Sequence, residues 1–141
     1  MKAFLDSSVL VATFYGDHQH HPPSIALYAR QNRTTGCTAA HCLAELYSVA
    51  TGMPGKNRAS PGEVLPFLHD VRDRLQIVTP DDREYWQAVE NAAMGISGGA
   101  IYDALIGECA LKAGARTIYT WNTRLFQLLR PEIATRAKEP R

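Results

Sequence analysis

The sequence lacks most of the features that would announce a function directly. It has three cysteines, Cys37, Cys42 and Cys109, an odd number without C-x-x-C spacing. That pattern argues against a disulfide framework or a zinc site and for small core residues. No apolar run reaches the roughly 18 residues of a membrane span. The N-terminal run is interrupted by Asp6 and no small-residue cleavage site follows it, so a cytoplasmic protein with no membrane segment is expected. Charge of either sign is not in excess: 15 Lys and Arg face 14 Asp and Glu, for a net charge of +1. The total therefore exerts no pull toward nucleic acid, and the positions of the charges must decide. A P-loop is absent too, because Gly98-Gly99 has neither the G-x-x-x-x-G-K spacing nor its lysine. Internal repeats, low-complexity segments and linker-like stretches are missing. The 141 residues, 45% hydrophobic and 21% charged, fit a single domain over residues 1–141.

What is present is an alternation of strand and helix signals. The chain opens Met1-Lys2-Ala3-Phe4-Leu5-Asp6-Ser7-Ser8-Val9-Leu10-Val11, an apolar run that stops at a carboxylate followed by two hydroxyls. Lys2 to Leu5 reads as a buried strand and Val9 to Tyr15 as the first turns of a helix. His18-Gln19-His20-His21-Pro22-Pro23 superficially resembles a metal cluster, but a loop leading into a helix over Ser24 to Gln31 suits its prolines better. Residues 34–38 predict a second strand. A helix over 40–50 follows, with Leu43, Leu46, Tyr47 and Ala50 as its apolar stripe and Glu45 off it. Ser60-Pro61-Gly62-Glu63 is a capping-box start for a helix to about Arg74. Residues 75–79 read as a third strand, Asp81 and Asp82 as caps of a helix over 83–94, and residues 95–100 as a hinge. A helix over 101–113, a fourth strand over 115–120 and a short last helix complete the chain. The alternation predicts an α/β domain with a mostly parallel sheet, all of whose strands end on one edge.

Ligands in such sheets bind at the carboxyl edge, and three carboxylates are expected there. Asp6 follows the first strand, Glu45 lies early in the helix after the second, and Asp103 starts the helix after the glycines. Taken singly, Asp103 could serve the helix dipole, worth about 0.3–1 kcal/mol, and Glu45 could be solvated. Together within about 4 Å, each like-charged pair would cost about 4 kcal/mol at an effective dielectric near 20, more than a cap or dipole returns. A divalent cation resolves the conflict, since Mg²⁺ or Mn²⁺ takes hard oxygen ligands and keeps waters and substrate phosphates beside them. That chemistry is phosphodiester hydrolysis. Ser8 is placed either to hydrogen-bond the carboxylate or its surroundings or to cap the following helix.

Four segments carry a family resemblance. Leu5-Asp6-Ser7-Ser8, Ala44-Glu45-Leu46-Tyr47, residues 99–106 (Gly-Ala-Ile-Tyr-Asp-Ala-Leu-Ile) and residues 119–126 (Tyr-Thr-Trp-Asn-Thr-Arg-Leu-Phe) resemble, in order, the motifs of PIN-domain ribonucleases. The likeness spans essentially the whole chain and is closest to VapC-type toxins of bacterial toxin-antitoxin pairs. It implies a three-layer α/β/α domain, a Mg²⁺- or Mn²⁺-dependent endoribonuclease, a homodimer and a cognate antitoxin whose arginine reaches the carboxylates. By position, Asp6, Glu45 and Asp103 match the acidic metal site and Thr120 a hydroxyl beside it. Asn122 departs from the pattern, standing where many members have aspartate. Its neutral amide would hold a second metal less tightly, so one well-occupied ion is expected before RNA arrives.

RNA would need cations around an acidic centre. Lys56, Arg58, Arg116 and Arg124 are the candidates, with Arg136 and Lys138 in the tail. Tyr47, Tyr102 and Trp121 adjoin the motifs and could stack a base, with core packing as the alternative. Two rival readings stand beside the nuclease. An aspartyl-phosphate phosphatase needs a second Asp two residues after the first, where this chain has Ser8. A non-catalytic RNA- or protein-binding module with the same fold is favoured only by Asn122.

Overall fold

The computed structural model describes residues 2–141; Met1, at the head of the opening apolar stretch, lies outside them. Five strands form one sheet: β1 (Lys2–Leu5), β2 (Gly36–Ala39), β3 (Gln76–Val78), β4 (Ala115–Tyr119) and β5 (Ala137–Lys138). Every pairing is parallel and the spatial order is β3-β2-β1-β4-β5. The helices are α1 (Ser7–Phe14), α2 (His21–Ala29), α3 (Ala40–Gly52), α4 (Pro61–Arg74), α5 (Asp82–Ala92), α6 (Ala100–Lys112), α7 (Thr123–Phe126) and α8 (Pro131–Ala134).

The order of the strands fixes the layers. From β1 the chain steps outward to β2 and β3, then returns past β1 to β4 and β5. With right-handed crossovers, that reversal sends α1–α4 to one face and α5, α6 and α8 to the other. The packing agrees, with α1 against α2 and α3, α3 against α4, and α6 against α5, α7 and α8. The result is the three-layer α/β/α arrangement. Phe4, Leu5, Cys37, Ala39 and Ile118 of the sheet are buried between the two helical layers. All three cysteines are free and buried, as a core role requires. Among the described residues, no helix is long and apolar enough to cross a membrane.

Local chemistry accounts for the elements. Ser60 accepts from the Glu63 amide at 3.2 Å while Glu63 accepts from the Ser60 amide at 2.8 Å, closing the expected capping box on α4. Asp81 and Glu84 make the same box on α5, which settles Asp81 as a cap.

Several sequence expectations need correction. The helix α2 begins at His21, three residues early, because Pro22 and Pro23 occupy its first turn, where no amide hydrogen is needed. Thr34 and Thr35 lie outside β2, since the Asn32 side chain accepts from both their amides and holds a turn there. The buried stripe of α3 is Cys42, Leu46 and Ala50, whereas Tyr47 is 41% exposed. The edge strand β5 and helix α8 were not foreseen, being too short to show a period.

Gly107 lies buried in α6 where α8 crosses it. A Cβ there would stand 2.7 Å from Cγ2 and 2.8 Å from Cδ1 of Ile133. Gly107→Val should therefore destabilise the protein by about 1–3 kcal/mol through overpacking. Thermal melting should fall by several degrees, and Ile133→Ala in the same background should recover part of it. A melt unchanged by Gly107→Val would show that α8 is not held against α6 in this way.

Candidate active site

The reversal in strand order creates a crevice between the ends of β1 and β4, the place where open α/β sheets bind ligands. Asp6 is the first residue past β1, and Thr120 the first past β4. The Asp6 carboxylate is 1% exposed, and its Oδ2 accepts from Thr120 Oγ1 at 2.7 Å and Ser8 Oγ at 2.9 Å. Each hydroxyl has its acceptor side filled by a backbone amide, Asn122 N–H to Thr120 at 3.0 Å and Trp121 N–H to Ser8 at 2.9 Å. Both hydroxyl protons are thereby directed at one carboxylate oxygen. The other, Oδ1, accepts a long 3.4 Å bond from Ser7 Oγ, and the backbone amides of Ser7 and Ser8 also favour the charged carboxylate. Ser8 thus serves the carboxylate and makes no helix-capping bond. Burial raises the Asp6 carboxyl above its ordinary range, against the lowering effect of the Thr120 and Ser8 hydrogen bonds.

Glu45 arrives from α3 on one face of the sheet and Asp103 from the first turn of α6 on the other. One ligand atom each from Asp6, Glu45 and Cys42 lies within 4.8 Å of the others. Asp103 lines the same cleft as Glu45 but stands outside that tight group, so convergence is looser than the expected 4 Å. Its carboxyl is pushed up to about 6, first by burial and then by the negative charges of Asp6 and Glu45. Glu45 Oε1 is buried without any hydrogen-bond partner, and Oε2 faces His41 Nε2 at 3.9 Å. An acidic oxygen in that condition is costly unless a cation meets it. Cys42 was missed as a neighbour of the site. It sits three residues before Glu45, the i, i+3 spacing that puts two helical residues on one face, and that spacing was the available signal. Burial and the nearby Asp6 charge push its thiol well above the ordinary value, so it enters as a neutral group.

The cleft holds about 570 Å³ and its lining includes Glu45, Asp103, His18, His20, Trp121 and Asn122. Asn122 is exposed at the start of α7, and its side chain makes no capping bond. The histidines do not form a metal cluster. His21 Nδ1 lies 2.8 Å from Ala12 O, and His18 Nδ1 accepts from the His20 amide at 3.0 Å. Core packing is wrong for Tyr102, which is 47% exposed and stacks on His41 at 5.2 Å between ring centroids, as it is for Tyr47. Of the candidate cations, Lys56 and Arg58 lie at a 3₁₀ turn after α3 and do not line the cleft; Arg58 Nε donates to Met53 O at 2.9 Å. Arg116 stands near the amino end of β4, the wrong edge of a parallel sheet for this site. Arg136 donates to Ala115 O at 3.2 Å and to Glu132 O. Arg124 borders a neighbouring depression together with Trp121 and Asn122.

Comparison with known proteins fits this geometry. A family model described as PIN domain matches residues 3–130. The curated Ribonuclease VapC40 of Mycobacterium tuberculosis is 33% identical over 114 residues, covering 80% of this chain and 81% of its own length. Ribonuclease VapC27 of the same organism is 29% identical over 106 residues, 75% of this chain and 74% of its own. Among solved structures, M. tuberculosis VapC20, described as a sarcin-ricin loop cleaving toxin, superposes with a TM-score of 0.71 at 16% identity, over 88% of this chain and 92% of that one. VapBC2 of Rickettsia felis, solved on a promoter DNA fragment, gives 0.64 at 20% identity over 99% and 98%. The structural likeness is one of fold, and the matched segment contains all three carboxylates: the chain belongs to the PIN domain family.

Proposed function

We propose that this protein is a divalent-metal-dependent endoribonuclease, using Mg²⁺ or Mn²⁺ to hydrolyse RNA phosphodiester bonds, and the toxin of a toxin-antitoxin pair. The observation that supports the reading is the position of Glu45, whose Oε1 is buried and unpaired among the described residues: it groups tightly with Asp6 and lines an open cleft together with Asp103, three acids from three separate elements. The ribonuclease names of its curated relatives support the same activity. Asp6 Oδ1, Glu45 Oε1 and the Asp103 carboxyl are the oxygens that would hold the ion. When bound, a divalent cation supplies a lowered water pKa and positive charge for the phosphoryl oxygens. Thr120 and Ser8 fix the plane of the Asp6 carboxylate, so Oδ1 is held ready and loses little freedom when it engages. Asn122 adds a neutral amide at the cleft's rim, able to hydrogen-bond a phosphate oxygen without repelling it. The partners of this reading are RNA, a second copy of the chain and an antitoxin whose guanidinium would pair with the same carboxylates and compete with the metal.

The same protein without catalysis, as an RNA- or protein-binding module, is the reading that Asn122 favours. Incubation of structured and unstructured RNAs with Mn²⁺ or EDTA separates the two. Cleavage should need the metal, and Asp6→Asn should lower the rate by roughly a hundredfold or more without lowering the melting temperature. Cleavage that persists in EDTA or in Asp6→Asn overturns the assignment, and tight binding of RNA with no cleavage establishes the module.

The raised Asp103 carboxyl gives a pH dependence. Folded, it titrates near 6 against an ordinary value of 3.8, so in the metal-free protein it contributes stability below about 4 that is lost as the pH rises through 6. Relative to Asp103→Asn, the metal-free wild type should lose melting temperature between pH 4 and pH 6, and no further above pH 7. Mn²⁺ must displace the same proton, so its affinity by calorimetry should fall about tenfold per pH unit below 6 and level off above it. A flat difference between the two proteins, or one of opposite slope, would refute the coupling of these carboxyls.

A further inference from the structure

The lining of the cleft carries, besides the carboxylates, a feature the chemistry does not use. The rings of His20 and Trp121 stack with centroids 3.8 Å apart and planes 8° from parallel. Trp121 is anchored at two points, Nε1–H donating to Ser24 Oγ and the backbone N–H donating to Ser8 Oγ, both at 2.9 Å. Ser8 is the residue whose hydroxyl proton goes to Asp6. The stack and the acidic centre are therefore held in register through one oxygen atom. The inner part of Trp121 packs on the core, yet both rings also line the cleft and neither residue is buried. The Arg141 guanidinium, paired with Glu139 at 2.8 Å, lies over the Trp121 ring 5.5 Å from its centroid.

A cleft of about 570 Å³ is within the size range of small-ligand sites, and its lining offers groups for both halves of a nucleotide. The carboxylates suit a phosphate bridged by a cation, and the stacked rings suit a base. We infer that the His20–Trp121 stack is the seat of an unpaired RNA base adjacent to the scissile phosphate. This rests on the nuclease reading for the identity of the ligand. Stacking tolerates any base because each has a π-face, so the seat selects unpaired over paired nucleotides more than one base over another. In a duplex the bases are already stacked within the helix and cannot enter.

The test uses the two tryptophans of the chain, Trp86 and Trp121. Trp86 is 65% exposed on α5, so Trp86→Phe leaves Trp121 as the sole indole. Combined with Asp6→Asn, this gives a protein that binds RNA without consuming it. A short unpaired RNA, carried to saturation as judged by anisotropy of a dye at its end, should quench Trp121 emission in the presence of Mg²⁺. The same sequence in a duplex should not. His20→Ala should weaken binding roughly fivefold or more and Trp121→Ala roughly tenfold or more, with Trp121→Phe recovering most of the latter. Emission unchanged at saturation, or affinities unchanged in both alanine variants, overturns the proposal. Should Trp121→Ala fail to fold, His20→Ala and the quenching decide alone. Quenching by RNA in a protein whose wild type cleaves nothing sinks the nuclease reading and leaves the seat standing; cleavage without quenching does the reverse.

Discussion

The structure depends on keeping one carboxylate, Asp6, buried at the junction of two strands. A buried charge is among the costliest things a fold can contain, and little here offsets it: two hydroxyls on Oδ2, a long contact on Oδ1, and no basic side chain in hydrogen-bond reach among the described residues. The sheet order makes that arrangement possible. Only because β4 returns to lie beside β1 does Thr120 come within 2.7 Å of Asp6, 114 residues away in sequence. The two backbone amides that load Thr120 and Ser8 come from the turn into α7, so that turn is as much a part of the site as the acid itself.

The remaining carboxylates make the cost worse. Glu45 comes from a helix on one face and Asp103 from a helix on the other, and burial, with the charges of Asp6 and Glu45, holds the Asp103 carboxyl near 6. Nothing about folding requires this. Helix α6 already has Gly99 at its N-cap, so Asp103 in its first turn is not needed as a cap, and Glu45 lies off the buried stripe of α3. Both acids sit on rigid helices, which hold a constellation more accurately than loops. A stability cost borne at one place, on well-packed supports, is the mark of a site kept for what it binds.

The sequence made the frame legible where its signals were local and repeated. The first strand ending at Asp6, the capping box at Ser60, the cap at Asp81, and the alternation that implied a parallel sheet all depend on neighbours a few residues apart, and they stand in the structure. What escaped was settled by contacts remote in sequence or by competition between local options. β5 has two residues and exists because β4 offers an unpaired edge. The true inner face of α3, with Cys42 in place of Tyr47, depends on which side the sheet covers, and a helix rich in small and apolar residues all round does not declare it. Among the cations the failure was geometric. Arg116 carries the right charge at the wrong end of its strand, whereas Arg141, the last residue, lies over Trp121. Of the histidines read as a loop, His18 and His20 lie in one while His21 opens α2, and His20 is placed by its stack on a tryptophan 101 positions later, which no spacing rule could reveal.

The presence of carboxylates and an aromatic pair in one cleft bears on how such a protein can change its target. The acids come from the end of β1, the middle of α3 and the first turn of α6, the aromatic pair from the turn before α2 and the turn after β4. They share Ser8 and little else. Substitutions at His18, His20 or Trp121 can therefore alter the shape and polarity presented to a nucleotide without disturbing the oxygens that would hold the ion, provided that the backbone amide at position 121 still meets Ser8. That amide survives replacement by any residue except proline, so the main-chain bond to Ser8 does not itself require tryptophan, although the indole's packing on the core and its bond to Ser24 do constrain the side chain. Chains of this fold at 16–20% identity retain its layers, and in this one the carboxylates and the aromatic pair are attached to different elements near one sheet edge, so that one set can change without the other.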